Sequence, residues 1–193
     1  DKIDATPGKV SVKDLKPSQS SMDIEKAVQF FIAALRKVEP FPSGPGGDLN
    51  AIITSDNHIM DGHHRWIATG MADPSASVGG FIVDFPAKQM IAALNMITAA
   101  LGQDGKSGTG GFGQFNEKGV AAVLGKFATE GTWSGKPEEI LAALKEFTQS
   151  GSNDKDELVA AAAKKVDQNL KQLTLDVPSG FPARPDMPVI SAK

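Results

Sequence analysis

Cysteine is absent from the 193 residues, which excludes disulfides, zinc-thiolate sites, iron-sulfur clusters and thiol catalysis together. Tyrosine is absent too, and histidine occurs only three times, at positions 58, 63 and 64. There is no basic excess: 20 Lys and Arg face 23 Asp and Glu, a formal charge of -3. That balance argues against a DNA-coating protein and against nucleic acid as a partner. No apolar run reaches the roughly 18 residues of a membrane helix, because Lys, Gln, Asp or Gly interrupts each one, so no membrane is expected as a partner either. What is there is 40% hydrophobic and 22% charged, the composition of a soluble globular chain able to bury a core. The chain opens at Asp1 with no basic and apolar leader, which leads us to expect no secretory signal and a cytoplasmic location.

Periodicity divides the sequence. Residues 9 to 13 alternate through Val10 and Val12 as a short strand that Pro17 closes. From Ser21 a helical stripe of Ile24, Val28, Phe31, Leu35 and Val38 follows, with Ser21 or Asp23 as cap and Pro40 and Pro42 as stops. Residues 41 to 48 read as loop, 51 to 54 as a strand, Asp56-Asn57 as a tight turn and 58 to 60 as a second strand. A helix after Gly62, a strand over 79 to 85 and a helix from Pro86 burying Met90, Leu94, Ile97 and Leu101 complete a mixed α/β unit over residues 1 to 101.

Residues 102 to 115 are glycine-rich, a segment no helix or strand would tolerate internally, and are read as a linker or lid. An α-helical extension over 116 to 176 follows, with helices at 116 to 129, 137 to 149 and 154 to 175 whose alanine-lined stripes permit close packing. Asp154, Asp156 and Glu157 supply favourable charge to the start of the last helix. Residues 177 to 193 form a Pro-rich tail.

Chemistry concentrates at Asp61-Gly62-His63-His64-Arg65, where a strand hands over to a helix. The first turn of a helix has backbone N–H groups with no intrahelical acceptor, and with the macrodipole they attract anions. Gly62 permits close approach of a ligand, His63 and His64 add donors, and Arg65 offers a forked contact to phosphate. Asp61 suits a helix cap, a divalent-ion ligand or a base. Adjacent His63 and His64 point about 100° apart and lack the i, i+4 spacing of helical zinc ligands, so no permanent metal is expected and Mg²⁺ would arrive with a nucleotide. His58, on the preceding strand, points either into the site or to solvent. Trp66 is read as core. Residues 100 to 107 satisfy a relaxed phosphate-loop pattern but follow a helix rather than a strand, which favours a lid whose Lys106 reaches a phosphate.

The run Ile52-Ile53-Thr54-Ser55-Asp56-Asn57-His58-Ile59-Met60-Asp61-Gly62-His63-His64-Arg65-Trp66-Ile67-Ala68, preceded by Val10-Ser11-Val12-Lys13-Asp14-Leu15-Lys16-Pro17-Ser18-Gln19, resembles the ParB/sulfiredoxin superfamily, in particular its stand-alone ParB-like domains, some of them phage-encoded. The resemblance covers about residues 8 to 100 and implies a ParB/sulfiredoxin-like N-terminal domain with an α-helical C-terminal extension. It also implies a nucleotide (ATP, ADP or CTP) with Mg²⁺. Phosphate contacts would come from Gly62, His63, His64 and Arg65, with Gln19 and Lys106 assisting, and Asp61, His63 and His64 would be the catalytic candidates. If the chain is phage-encoded, its location becomes the host cytoplasm or the virion.

Departures from the family narrow the chemistry. Sulfiredoxins carry a cysteine where this chain has His63, so sulfinic-acid reduction is excluded. The helices after residue 115 lack the basic face of a centromere-binding domain. Where free-serine kinases place a glutamate base, this chain has Lys16-Pro17-Ser18-Gln19, and Gln19 can bind but cannot take a proton. Three readings stay open: nucleotide hydrolysis or phosphoryl transfer to a small molecule, a non-catalytic structural or interaction module that self-associates or meets a protein through its helical extension, and a metal-dependent nuclease.

Overall fold

Gly80 shows how closely the central strands approach: a methyl group on its Cα would collide with the backbone of Ala51 on the neighbouring strand. The computed structural model describes residues 4–100, 111–176 and 181. Among them are six α-helices and one five-stranded mixed sheet, a mixed α/β architecture.

The strands are β1 (Ala5–Ser11), β2 (Lys16–Pro17), β3 (Gly47–Thr54), β4 (His58–Asp61) and β5 (Ser77–Val83). They lie in the order β1-β5-β3-β4-β2, with β5/β3 and β4/β2 parallel and the other neighbours antiparallel. β1 begins earlier than the alternation predicts and takes Pro7 into an edge strand, where a missing N–H costs no ladder bond. β2 went unread because two residues carry no period. It pairs with His58 and Ile59, again with a proline at a sheet edge. β3 starts at Gly47, inside the stretch read as loop, and a bulge between Asp48 and Ala51 brings it back into register with β5.

Helix α1 (Ile24–Arg36) is capped by Asp23, whose Oδ1 accepts Lys26 N–H at 3.2 Å, and it buries Ala27, Val28, Phe31, Ile32 and Ala34. It ends before its prolines. Lys37 turns left-handed with φ 55°, which places Val38 outside the helix. Asp23 and not Ser21 is the N-cap of α1, and Ser21 bridges to Gly111. Helix α2 (His63–Ala72) follows β4 directly. Trp66 is fully buried and donates its indole N–H to Val12 O at 3.0 Å, the expected core role.

Helix α3 (Ala87–Ala100) departs from its predicted face. It buries Ala87 and Ile91, leaves Met90 and Leu94 half-buried and Ile97 exposed, while Leu101 lies outside the described residues. Its start is tied to the β3–β4 turn, where Asp56 Oδ1 accepts Ala87 N–H at 3.0 Å.

Helices α4 (Glu117–Glu130), α5 (Pro137–Thr148) and α6 (Lys155–Leu170) match the helical pattern of the second half, and they pack on each other and on α1 and α2. Asp154 caps α6 through bonds from the N–H groups of Asp156 and Glu157, both at 2.9 Å. The last helix stops at Leu170 rather than 175, because tight turns at Gln172 and Leu173 replace helical bonds and fold Leu173 against Gly70. Asn169 donates to Met71 O at 2.7 Å and ties α6 to the end of α2. One continuous apolar cluster results, running from Val12, Phe31, Ile53 and Trp66 to Leu124, Ile140, Leu144 and Val166. Helix α1 packs on α2 and on α4 and α5 of the helical extension. None of the described helices is long and apolar enough to cross a membrane.

Candidate functional site

β4 delivers its last residue, Asp61, to the mouth of a cavity of about 240 Å³ at the start of α2. Gly62 is the N-cap, held left-handed at φ 96°, a conformation side chains rarely adopt. No side chain caps the helix and no acid sits in its first turn. The macrodipole at this end of α2 favours negative charge.

Asp61 does not cap α2. Its Oδ2 instead receives Arg65 Nη2 at 2.8 Å, one helical turn on. The guanidinium lies across Gly62, with Nη2 3.2 Å from where a Cβ at residue 62 would stand. Arg65 is thus aimed over the helix start and already paired with a carboxylate that is itself mostly exposed.

His63 and His64 take different environments. His63 is 5% exposed. Its Nε2 accepts Ser18 N–H at 3.2 Å, while Ser18 Oγ donates to Ile59 O at 2.6 Å. An acceptor Nε2 puts the proton of the neutral ring on Nδ1, so only the Nδ1 edge could serve a ligand, and the ring joins the segment after β2 to α2. His64 turns toward α1, its ring 6.5 Å from that of Phe30, and lines the cavity with Met60. Gln19, 2% exposed, also lines it and is held by donating Nε2–H to Ser21 O at 2.8 Å.

The sequence reading missed Lys26 and Phe30, which line the cavity from α1. They stand at i and i+4 on one side of α1, beside its apolar stripe, and only the packing of α1 against α2 brings them to the site. Lys106 and the phosphate-loop-like run lie outside the described residues apart from Ala100, as does the glycine-rich segment up to residue 110. Its continuation is ordered as a bridge from Gly111 to Ser21 and a single 3-10 turn, Phe112–Gln114.

His58 points neither into the site nor to solvent. It is 6% exposed, with Nδ1 3.3 Å from Asp56 Oδ1 and its ring stacked on Phe181 at 4.8 Å. Burial tends to raise the pKa of Asp56, but bonds from Thr54 Oγ1 at 2.6 Å and from Ala87 N–H, together with His58, hold it below its ordinary value. No group of three or more metal-ligating side chains that could hold a metal ion occurs among the described residues, so His58, Asp61 and His63 are not brought together. A larger hollow of about 660 Å³ separates the start of α1 from that of α4, but its carboxylates are engaged, Asp23 in capping α1 and Glu25 with Lys126 at 3.0 Å.

No protein-family model, no curated protein and no solved structure matches the chain.

Proposed function

We propose that the Gly62 helix start binds the phosphates of a nucleotide (ATP, ADP or CTP), accompanied by Mg²⁺, for hydrolysis or phosphoryl transfer. The observation that carries this reading is the convergence of two cations, Lys26 from α1 and Arg65 from α2, on the uncapped N-terminus of a helix whose cap is a left-handed glycine. Backbone donors, a macrodipole and two flexible cations on one small cavity suit a multiply charged anion. The resemblance of the Asp61-to-Arg65 run to the ParB/sulfiredoxin superfamily makes that anion a nucleotide phosphate, and a ParB-like fold is part of the same reading. Asp61 is the one carboxylate lining the cavity among the described residues, which suits it to a divalent ion that screens the phosphates. His64 is the imidazole better placed for proton transfer, because Nε2 of His63 is engaged by Ser18.

A thermal-shift titration with ADP, ATP and CTP, with and without Mg²⁺, tests the reading. A rise in Tm that is lost in Arg65→Ala is expected. No shift with any nucleotide, or a shift that Arg65→Ala leaves intact, overturns it.

A second reading, an interaction module, is favoured by one observation: Phe81 on β5 and Met96 and Ile97 on α3 are large apolar side chains left exposed, Met96 by 70%. It expects a defined oligomer in light scattering and no nucleotide-induced shift.

A further inference from the structure

Trp133 is 57% exposed, yet it is firmly held. It sits with Ser134 at the tip of a two-residue turn between α4 and α5, closed by reciprocal backbone bonds between Thr132 and Gly135 at 2.8 and 3.1 Å. Three contacts then pin this turn to α1. The indole N–H donates to Gln29 Oε1 at 2.7 Å, the ring meets Phe30 edge-on at 5.5 Å, and Arg36 donates to the buried Ser134 carbonyl while pairing with Glu139 at 2.7 Å. An indole is expensive to leave in water, yet Gln29 and Phe30 hold the ring itself and Arg36 holds the turn that carries it.

Its place gives that orientation a use. Gln29 and Phe30 lie one turn of α1 beyond Lys26, and Phe30 is itself a wall of the cavity, with His64 on its other side at 6.5 Å. A single phenyl ring therefore separates the phosphate cavity from the indole. The cavity, at about 240 Å³, is smaller than the roughly 300 Å³ at which pockets for drug-sized ligands begin. It suits the phosphates of a nucleotide, leaving the sugar and base to extend outside it. Phe30 lines the cavity from α1, and Trp133 stands edge-on against Phe30 at 5.5 Å.

We infer that Trp133 is the nucleobase shelf of this site: phosphates bind at the Gly62 helix start, the sugar crosses the edge of Phe30, and the base stacks on the indole supplied by the helical extension. This rests on the phosphate reading above and adds to it a role for the second half of the chain. Stacking on an aromatic face discriminates little between bases, so the shelf accepts cytosine and adenine alike. Because the indole is already immobilised, the base stacks without ordering it.

Calorimetric titration of the full chain with ATP, CTP and inorganic tripolyphosphate separates the two ideas. The expected result is that both nucleotides bind roughly tenfold or more tightly than tripolyphosphate, and that Trp133→Ala removes this advantage while leaving tripolyphosphate binding unchanged. Trp133→Phe restores part of it, and Gln29→Leu, which releases the indole, loses part of it. ATP should also quench the emission of Trp133, which is separable from that of the buried Trp66 by comparison with Trp133→Phe. If tripolyphosphate binds and depends on Arg65 but Trp133→Ala leaves nucleotide affinity intact, the shelf is wrong and the phosphate site stands. Equal weakening of nucleotide and tripolyphosphate by Trp133→Ala makes the residue structural and also overturns the shelf. If no polyphosphate or nucleotide binds the wild-type chain, both ideas fall.

Discussion

Nε2 of His63 accepts the backbone N–H of Ser18 at 3.2 Å. That bond crosses from the first residue of α2 to the segment after β2 and is made in a dry environment, where a lost acceptor leaves a buried donor unmatched. His63→Ala is expected to destabilise the chain by about 1–3 kcal/mol. His63→Gln, whose carbonyl can reach the same N–H, should recover much of that. Urea unfolding with an unchanged m-value would register the difference. Equal stability of the two variants would mean that the bond contributes little.

Asp61 and Arg65 pair at 2.8 Å on the surface, and an exposed i, i+4 pair contributes only about 0.3–0.5 kcal/mol to stability. Its weight falls on binding instead. In Asp61→Asn the guanidinium loses its resident carboxylate and the cavity loses a like charge, so pyrophosphate in Mg²⁺-free buffer should bind several-fold more tightly. With Mg²⁺ and ATP the same variant should bind more weakly, because the carboxylate that would meet the ion is gone. Isothermal titration in the two buffers checks both signs, and tighter binding in both would remove Asp61 from any metal role.

Gly62 carries φ 96° directly beneath the Arg65 guanidinium. Gly62→Ala must strain the backbone by about 1–2 kcal/mol and push the guanidinium aside. The expected outcome is a modest drop in Tm with near-complete loss of polyphosphate binding. A variant that binds normally would show that neither the left-handed turn nor the position of Arg65 matters.

The carboxyl of Asp56 is held below its ordinary pKa of 3.8 by the groups it accepts from. A group depressed in the folded state contributes stability that is present above its unfolded pKa and lost as pH falls through the folded value. The stability difference between wild type and Asp56→Asn should therefore be constant above about pH 5 and shrink below pH 3.8. Denaturant midpoints measured across that range give the curve. A difference that grows on acidification would mean that Asp56 is not depressed.

How far the site could be read from the chain depends on how far apart its parts are in sequence. The turn from Asp61 to Arg65 was legible because a glycine between a strand and a helix, followed by histidines and an arginine, is a local signal. Gln19 was legible through family resemblance alone. Lys26 was not, since on α1 it looks like any exposed lysine beside an apolar stripe. Trp133 was silent for the same reason, being more than 100 residues from Gln29. The face that α3 turns inward, Ala87 and Ile91, is not its longest apolar stripe, and its start is tied to Asp56, 31 residues earlier.

The sequence by itself determined the helices and most strands, and a helix start at Gly62, because hydrogen bonds and periodicity within a few residues settle these features. Tertiary structure alone decided that His63 accepts from Ser18 while His64 stands against Phe30, that Arg65 is shared with Asp61, that Lys26 lines the same cavity and that Trp133 packs on Phe30. Those outcomes depend on side chains from separate elements competing for the same space and the same hydrogen bonds, which happens only once α1, α2 and the helical extension close on one core.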